Sequence, residues 1–412
     1  MRKLKMIILL LCTVILTGIL CGCKGGFEKE NTKGEETTKL SDMNPEDVDD
    51  ITMEGMISDA LSKMTLKEKI GQMFIVSTDS LDFDSEKKVT DKMKETLQEY
   101  KPGGVIFFSY NLKNQDQIKT MIQEMQDVAR IPMFMSVDEE GGSVARIANT
   151  KGMGTTKQPS MKEIGATKDA TKAEKVGETI GKEIHALGFN LNFAPVADIS
   201  TNEGNTEIGS RSFGSDADIV SQMVAKEVKG LQTQGVSATL KHFPGQGDAA
   251  EDTHCGFVDL DTTIDRLRDV EFLPFEKGIS AGADFVMVSH VSVSQVTGTN
   301  TPSSLSKLIV NDILREELQY DNIIITDAMN MKVITKFYDP DQAAVMAICA
   351  GNDMVLMPDN FEMAYHGVLD AVKDGTISER KIDEAVGRIL RVKIKRGIIP
   401  LTSGLFHQNS EK

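Results

Sequence analysis

The chain has no tryptophan and only 5% aromatic residues over its 412 positions. That tells against an indole platform, the usual stacking surface for sugars, as its main binding device. Cationic charge is in deficit: the formal net charge is −16, which disfavours nucleic acid as a partner. Cysteine is scarce. Of five, Cys12 and Cys21 lie in an N-terminal leader, leaving Cys23, Cys255 and Cys349. That is an odd number without framework spacing, so no structural disulfide is expected. No His-Glu-x-x-His pattern and no ligand pair with structural zinc spacing occurs, so no metal is expected. No glycine-rich nucleotide loop follows the first apolar run, which argues against a dinucleotide cofactor.

The leader itself is informative. Arg2, Lys3 and Lys5 form a basic head, and Met6–Leu20 is apolar but short for a bilayer span. Leu20-Cys21-Gly22-Cys23 resembles a bacterial lipobox, which makes Cys23 the expected lipidation site. The implied localisation is the extracytoplasmic face of the cell membrane, held by acyl chains. From Lys24 to Asp50 the chain carries four lysines against nine acids and almost no apolar side chain, the composition of a flexible tether. The expected division is a signal peptide over 1–22, a tether over 23–50, one folded domain over 51–400 and a polar tail over 401–412.

Within that domain, short apolar runs alternate with helical patterns. The runs are Met73–Ser77, Gly104–Phe108, Met133–Val137, Leu191–Pro195, Ala238–His242, Phe285–His290, Ile323–Asp327 and Met354–Met357. The intervening segments, such as Gln115–Ala129, Ala217–Thr233 and Thr262–Ala281, have helical periodicity. Thr65 and Glu68 have the spacing of a capping box ahead of Leu66–Gly71. Eight strand-like runs separated by helices predict a parallel sheet, and over this length a closed (β/α)8 TIM-type barrel fits better than an open sheet.

Polar residues recur just past these runs: Asp138 after the third, Lys241 and His242 at the end of the fifth, His290 at the sixth, Asp327 at the seventh. The active face of such a barrel is built from the C-terminal ends of several strands. The stretch after the fifth run, Lys241-His242-Phe243-Pro244-Gly245-Gln246-Gly247-Asp248-Ala249-Ala250-Glu251-Asp252-Thr253-His254, is a loop by its Pro and Gly content. In it Asp252 and His254 are two apart. That spacing lets a carboxylate orient an imidazole for proton transfer, although an Asp-x-His in a glycine-rich loop also suits a plain turn.

These residues resemble glycoside hydrolase family 3, in its bacterial β-N-acetylhexosaminidase branch, from Met64 to about Ile399. The matching segments are Met64 to Met73, Val137-Asp138-Glu139-Glu140-Gly141-Gly142 with Arg146, Ile208 to Gly214 around Arg211, the loop from Lys241 to His254, and Thr326-Asp327-Ala328-Met329. The resemblance implies a retaining exo-glycosidase acting on β-linked N-acetylglucosamine saccharides or muropeptides, without a cofactor. Asp327 would be the nucleophile and His254, oriented by Asp252, the acid/base. Asp138, Arg146, Arg211, Lys241 and His242 would bind the sugar, with Asp198 and His290 as lesser candidates. Ser143, Gln246 and Thr253 depart from the family pattern, where Arg, His and Ser are usual. Ala328 stands where the glucosidase branch has Trp, and the chain ends soon after the eighth repeat, both as in single-domain hexosaminidases. A phosphorylase on the same scaffold and a non-catalytic wall-binding lipoprotein are the alternatives.

Overall fold

The computed structural model describes residues 43–83, 86–249 and 258–401. The leader, Cys23, the tail from residue 402 and the segment bearing Asp252 and His254 lie outside them. Eight parallel strands close a barrel: β1 (Phe74–Ser77), β2 (Gly104–Phe107), β3 (Phe134–Val137), β4 (Leu191–Asn192), β5 (Ser237–Phe243), β6 (Phe285–Val288), β7 (Ile323–Ala328) and β8 (Met354–Leu356). Each pairs with its sequence neighbours, and β1 pairs with β8. Every expected run is a strand of this barrel, and the (β/α)8 expectation holds.

The strands are legible because they are buried on both faces. Ile323, Ile324 and Ile325 are all fully buried, as a strand between a filled interior and a helical shell must be. The helices bury one stripe each: Gln115–Val128 buries Ile118, Met121, Ile122 and Met125, the i, i+3, i+4, i+7 pattern. Thr65 and Glu68 do form a capping box on Leu66–Gln72. Helices Ala170–His185 and Ala217–Gln232 meet at a glycine contact, where a Cβ on Gly177 would lie 2.6 Å from the Glu227 carbonyl oxygen.

Three local features differ from the sequence reading. The fourth strand ends at Asn192 rather than Pro195, since Pro195 has no N–H for the ladder. The segment expected as one helix over Thr262–Ala281 is three pieces, with a π-type turn at Leu267–Glu271 just before Pro274. Pro274 removes the amide that would bond back to the turn. After β3 the chain forms a small hairpin, Glu139–Gly141 with Val144–Ala145, turned by Gly141 and Gly142 at φ of 97° and 56°. Among the described residues no helix is long and apolar enough to cross a membrane.

Candidate active site

The C-terminal ends of the strands enclose a cavity of about 310 Å³. Its polar lining includes Asp138, Arg146, Arg211, Lys241, His242 and Asp327, and its apolar lining includes Phe108, Phe193, Met287 and Leu356. The structure therefore brings these six expected residues together, while the lesser candidates Asp198 and His290 are not part of the lining. Asp252 and His254 lie outside the described residues. The described residues on either side of that segment are Ala249 and Val258. Ala249 follows β5, and the Val258 carbonyl accepts from the Ser292 amide just beyond β6.

Asp327 stands near the end of β7, and its Oδ1 accepts from the Ala328 amide at 2.7 Å. Burial alone raises its pKa, but His242, His290, the Ala328 amide and Lys241 outweigh burial and hold the carboxyl below the usual Asp value. The group is therefore a carboxylate at neutral pH, the state a nucleophile needs.

Opposite lies a desolvated charge network. Lys241 is 2% exposed, and its Nζ donates to Asp138 Oδ1 at 2.8 Å and meets Glu140 Oε1 at 2.6 Å. Glu140 also takes Arg211 in a bidentate grip, Nε to Oε2 and Nη2 to Oε1, both at 2.8 Å. Burial pushes the Glu140 pKa up, yet Arg211 and Lys241 pull it far below the ordinary carboxylate range. For Lys241 burial lowers the pKa, and Asp138 and Glu140 more than reverse that. Arg146 reaches Asp138 at 3.6 Å, and its Nε is buried with no hydrogen-bond partner among the described residues. These are fixed donors and acceptors, arranged before any ligand arrives, and suited to a ring of hydroxyls.

His242 is tethered rather than mobile. Asp198 Oδ2 accepts from its amide at 3.1 Å and from Nδ1 at 2.7 Å, while Oδ1 accepts from the Gln246 amide at 2.8 Å. Lys241 and His242, though adjacent in sequence, both line the cavity; the pairing of β5 with β6 shifts register between Leu240 and Phe243, and the Lys241–His242 peptide is cis. The loop beyond is pinned close to the barrel: a Cβ on Gly247 would meet the Ile199 carbonyl oxygen at 1.8 Å, so only glycine fits there. Gln246, which departs from the family pattern, donates to Glu207 Oε1 at 3.2 Å.

Sequence reasoning missed Glu140, which holds both Arg211 and Lys241, and gave Asp198 less weight than its three hydrogen bonds warrant. The Asp-x-Glu spacing after β3 and the acid three residues past Pro195 were the available signals. His290 is a buried, bonded histidine: Nδ1 meets Ser304 Oγ at 2.7 Å and Nε2 meets the Ala328 carbonyl oxygen at 3.0 Å. It steadies the backbone beside Asp327. Among the described residues no three His, Cys, Asp or Glu side chains converge as metal ligands.

Comparison with known proteins agrees with this geometry. Residues 65–392 match the model of the glycosyl hydrolase family 3 N terminal domain. The chain is 32% identical over 332 residues to "Beta-hexosaminidase A" of Pseudoalteromonas piscicida, covering 74% of this chain and 55% of that protein. It is 33% identical over 289 residues to "Beta-hexosaminidase" of Stenotrophomonas maltophilia (strain R551-3), covering 68% and 84%. The solved glycoside hydrolase family 3 beta-N-acetylglucosaminidase of Paenibacillus sp. str. FPU-7 superposes with a TM-score of 0.77 at 37% identity, over 81% of this chain and 63% of that one. The chain thus spans less than two thirds of the Pseudoalteromonas and Paenibacillus proteins. With the match running from Thr65 through all eight strands into the last long helix, the chain belongs to glycosyl hydrolase family 3.

Proposed function

We propose that the protein is an exo-acting, retaining β-N-acetylglucosaminidase. The observation that carries the reading is the pairing, across one cavity, of an ionised Asp327 with the Lys241–Asp138–Glu140–Arg211 network. The names of the relatives support the hexosaminidase class, and the cavity volume, at the small end for ligand sites, suits a single terminal sugar.

In this reading Asp327 attacks the anomeric carbon while His254, oriented by Asp252, gives a proton to the departing oxygen. The aglycone leaves, and a glycosyl ester to Asp327 remains. The imidazole then takes a proton from water, whose oxygen displaces the carboxylate and restores the starting configuration. A histidine near its ordinary pKa suits both halves of the cycle at neutral pH, where a carboxylic acid would need a raised pKa beside an anionic nucleophile. Asp138, Arg146, Arg211, Lys241 and His242 hold the hydroxyls and the 2-acetamido group. The lipobox-like leader supports attachment at Cys23, which would set the enzyme at the membrane beside peptidoglycan fragments.

The test is release of nitrophenol from the aryl β-N-acetylglucosaminide by wild type and Asp327→Ala, with and without phosphate. Loss of turnover in the variant and free N-acetylglucosamine from the wild type are expected. Turnover by the variant at the wild-type rate contradicts the nucleophile, and sugar 1-phosphate as the main product replaces hydrolysis by phosphorolysis.

A further inference from the structure

We propose that the loop after β2 is the aglycone subsite, with Tyr110 as its platform for the second sugar ring of a β-linked oligosaccharide; this rests on the glycosidase reading above. In that reading the terminal sugar fills the cavity of about 310 Å³. A substrate's next ring must therefore sit at the mouth, and the mouth carries an aromatic stack. Phe108 lines the cavity. Tyr110 lies beside it with ring centroids 5.7 Å apart and planes at 13°, and is 37% exposed. On Phe108 the Arg146 guanidinium sits 5.8 Å from the ring centroid, so the stack is continuous with the sugar site.

The platform is built before any ligand binds. Tyr110 donates its hydroxyl to Asp79 Oδ2 at 2.7 Å, which fixes the ring plane. Asn111 is fully buried. Its Oδ1 accepts from the Phe108 amide at 2.8 Å, and its Nδ2 donates to Thr78 Oγ1 and the Glu86 carbonyl oxygen, both at 2.8 Å. A rigid aromatic face loses little entropy on binding. The C–H face of a pyranose, apolar where its hydroxyls point sideways, is the complement of such a surface. The scarcity of aromatic residues and the lack of tryptophan argued from sequence against a stacking device; one tyrosine placed at the rim supplies a local one.

The experiment compares kcat/KM for the β-1,4-linked disaccharide of N-acetylglucosamine with that for its methyl β-glycoside, which has no second ring, in wild type, Tyr110→Ala and Tyr110→Phe. The ratio of disaccharide to methyl glycoside should fall about 5- to 10-fold in Tyr110→Ala and stay within about twofold in Tyr110→Phe, a loss sized to aromatic contact. An unchanged ratio in Tyr110→Ala, with thermal unfolding like wild type, overturns the subsite. So does an effect seen with a nitrophenyl glycoside alone, which would assign the platform to flat aryl aglycones. If Tyr110→Ala fails to fold, Tyr110→Leu carries the same comparison. Wild type inactive on both sugars instead defeats the glycosidase reading, and the subsite with it.

Discussion

Glu140 grips Arg211 through two parallel hydrogen bonds of 2.8 Å with the carboxylate 1% exposed. Through Oε1 the same carboxylate also meets Lys241. One acid therefore sets the position of two cations that line the cavity.

Glu140→Gln keeps the shape and removes the charge. Breaking a buried ion pair on one side costs about 3–5 kcal/mol, so the variant should unfold at lower temperature. Lys241 and Arg211 would relax from their places, and displacement of that kind costs about 10²-fold in rate or more. Calorimetry and kcat/KM on the aryl N-acetylglucosaminide check both. A variant with wild-type kcat/KM would show that the grip is only structural.

Asp198→Asn tests the tether on His242. The carboxylate accepts three hydrogen bonds, whereas an amide oxygen can serve one side of that set and its NH2 opposes the other. A fall of about 10- to 100-fold in kcat/KM is expected, the range for bonds to a charged group. Activity equal to wild type would mean that His242 keeps its place without Asp198.

Glu227 gives a pH prediction. It is fully buried on helix Ala217–Gln232, and neither carboxyl oxygen has a hydrogen-bond partner among the described residues. Burial, assisted by Glu140 and partly offset by Lys241, pushes its pKa up to about 8. A carboxyl whose folded pKa exceeds its unfolded value binds more protons in the folded state. Its contribution to stability is therefore lost as pH rises from the unfolded value toward about 8. Glu227→Gln does not titrate, so the variant's Tm minus the wild-type Tm should increase between about pH 5 and about pH 9. Parallel Tm curves across that range would contradict it.

His254→Ala should cost about 10²–10⁴-fold on substrates with a sugar or alkyl leaving group, the usual worth of general acid help. A dinitrophenyl glycoside, whose leaving group departs without a proton, should lose far less in its first step. Equal losses on both substrates would move the acid/base role to another residue.

Much of this site was legible in the sequence, for a definable reason. Strands buried on both faces read as apolar runs, so their ends are visible, and Asp138, Lys241, His242 and Asp327 stand at those ends. Glu140 was hidden because its placement depends on a hairpin that residues 139–145 form after β3, a feature with no periodicity to announce it. Asp198 is hard to place from sequence because the run before it reads as ending at Pro195, while the strand stops at Asn192 and Val196 then bridges with Lys241. The stack of Phe108 on Tyr110 depends on side-chain planes, about which spacing along the chain says nothing.

The most direct test of the central claim is covalent trapping. A 5-fluoro-N-acetylglucosaminyl fluoride, which forms the glycosyl ester faster than water removes it, should inactivate the enzyme, and peptide mapping by mass spectrometry should find the sugar on Asp327. Label on a different carboxylate, or full turnover with no ester formed, would contradict the account.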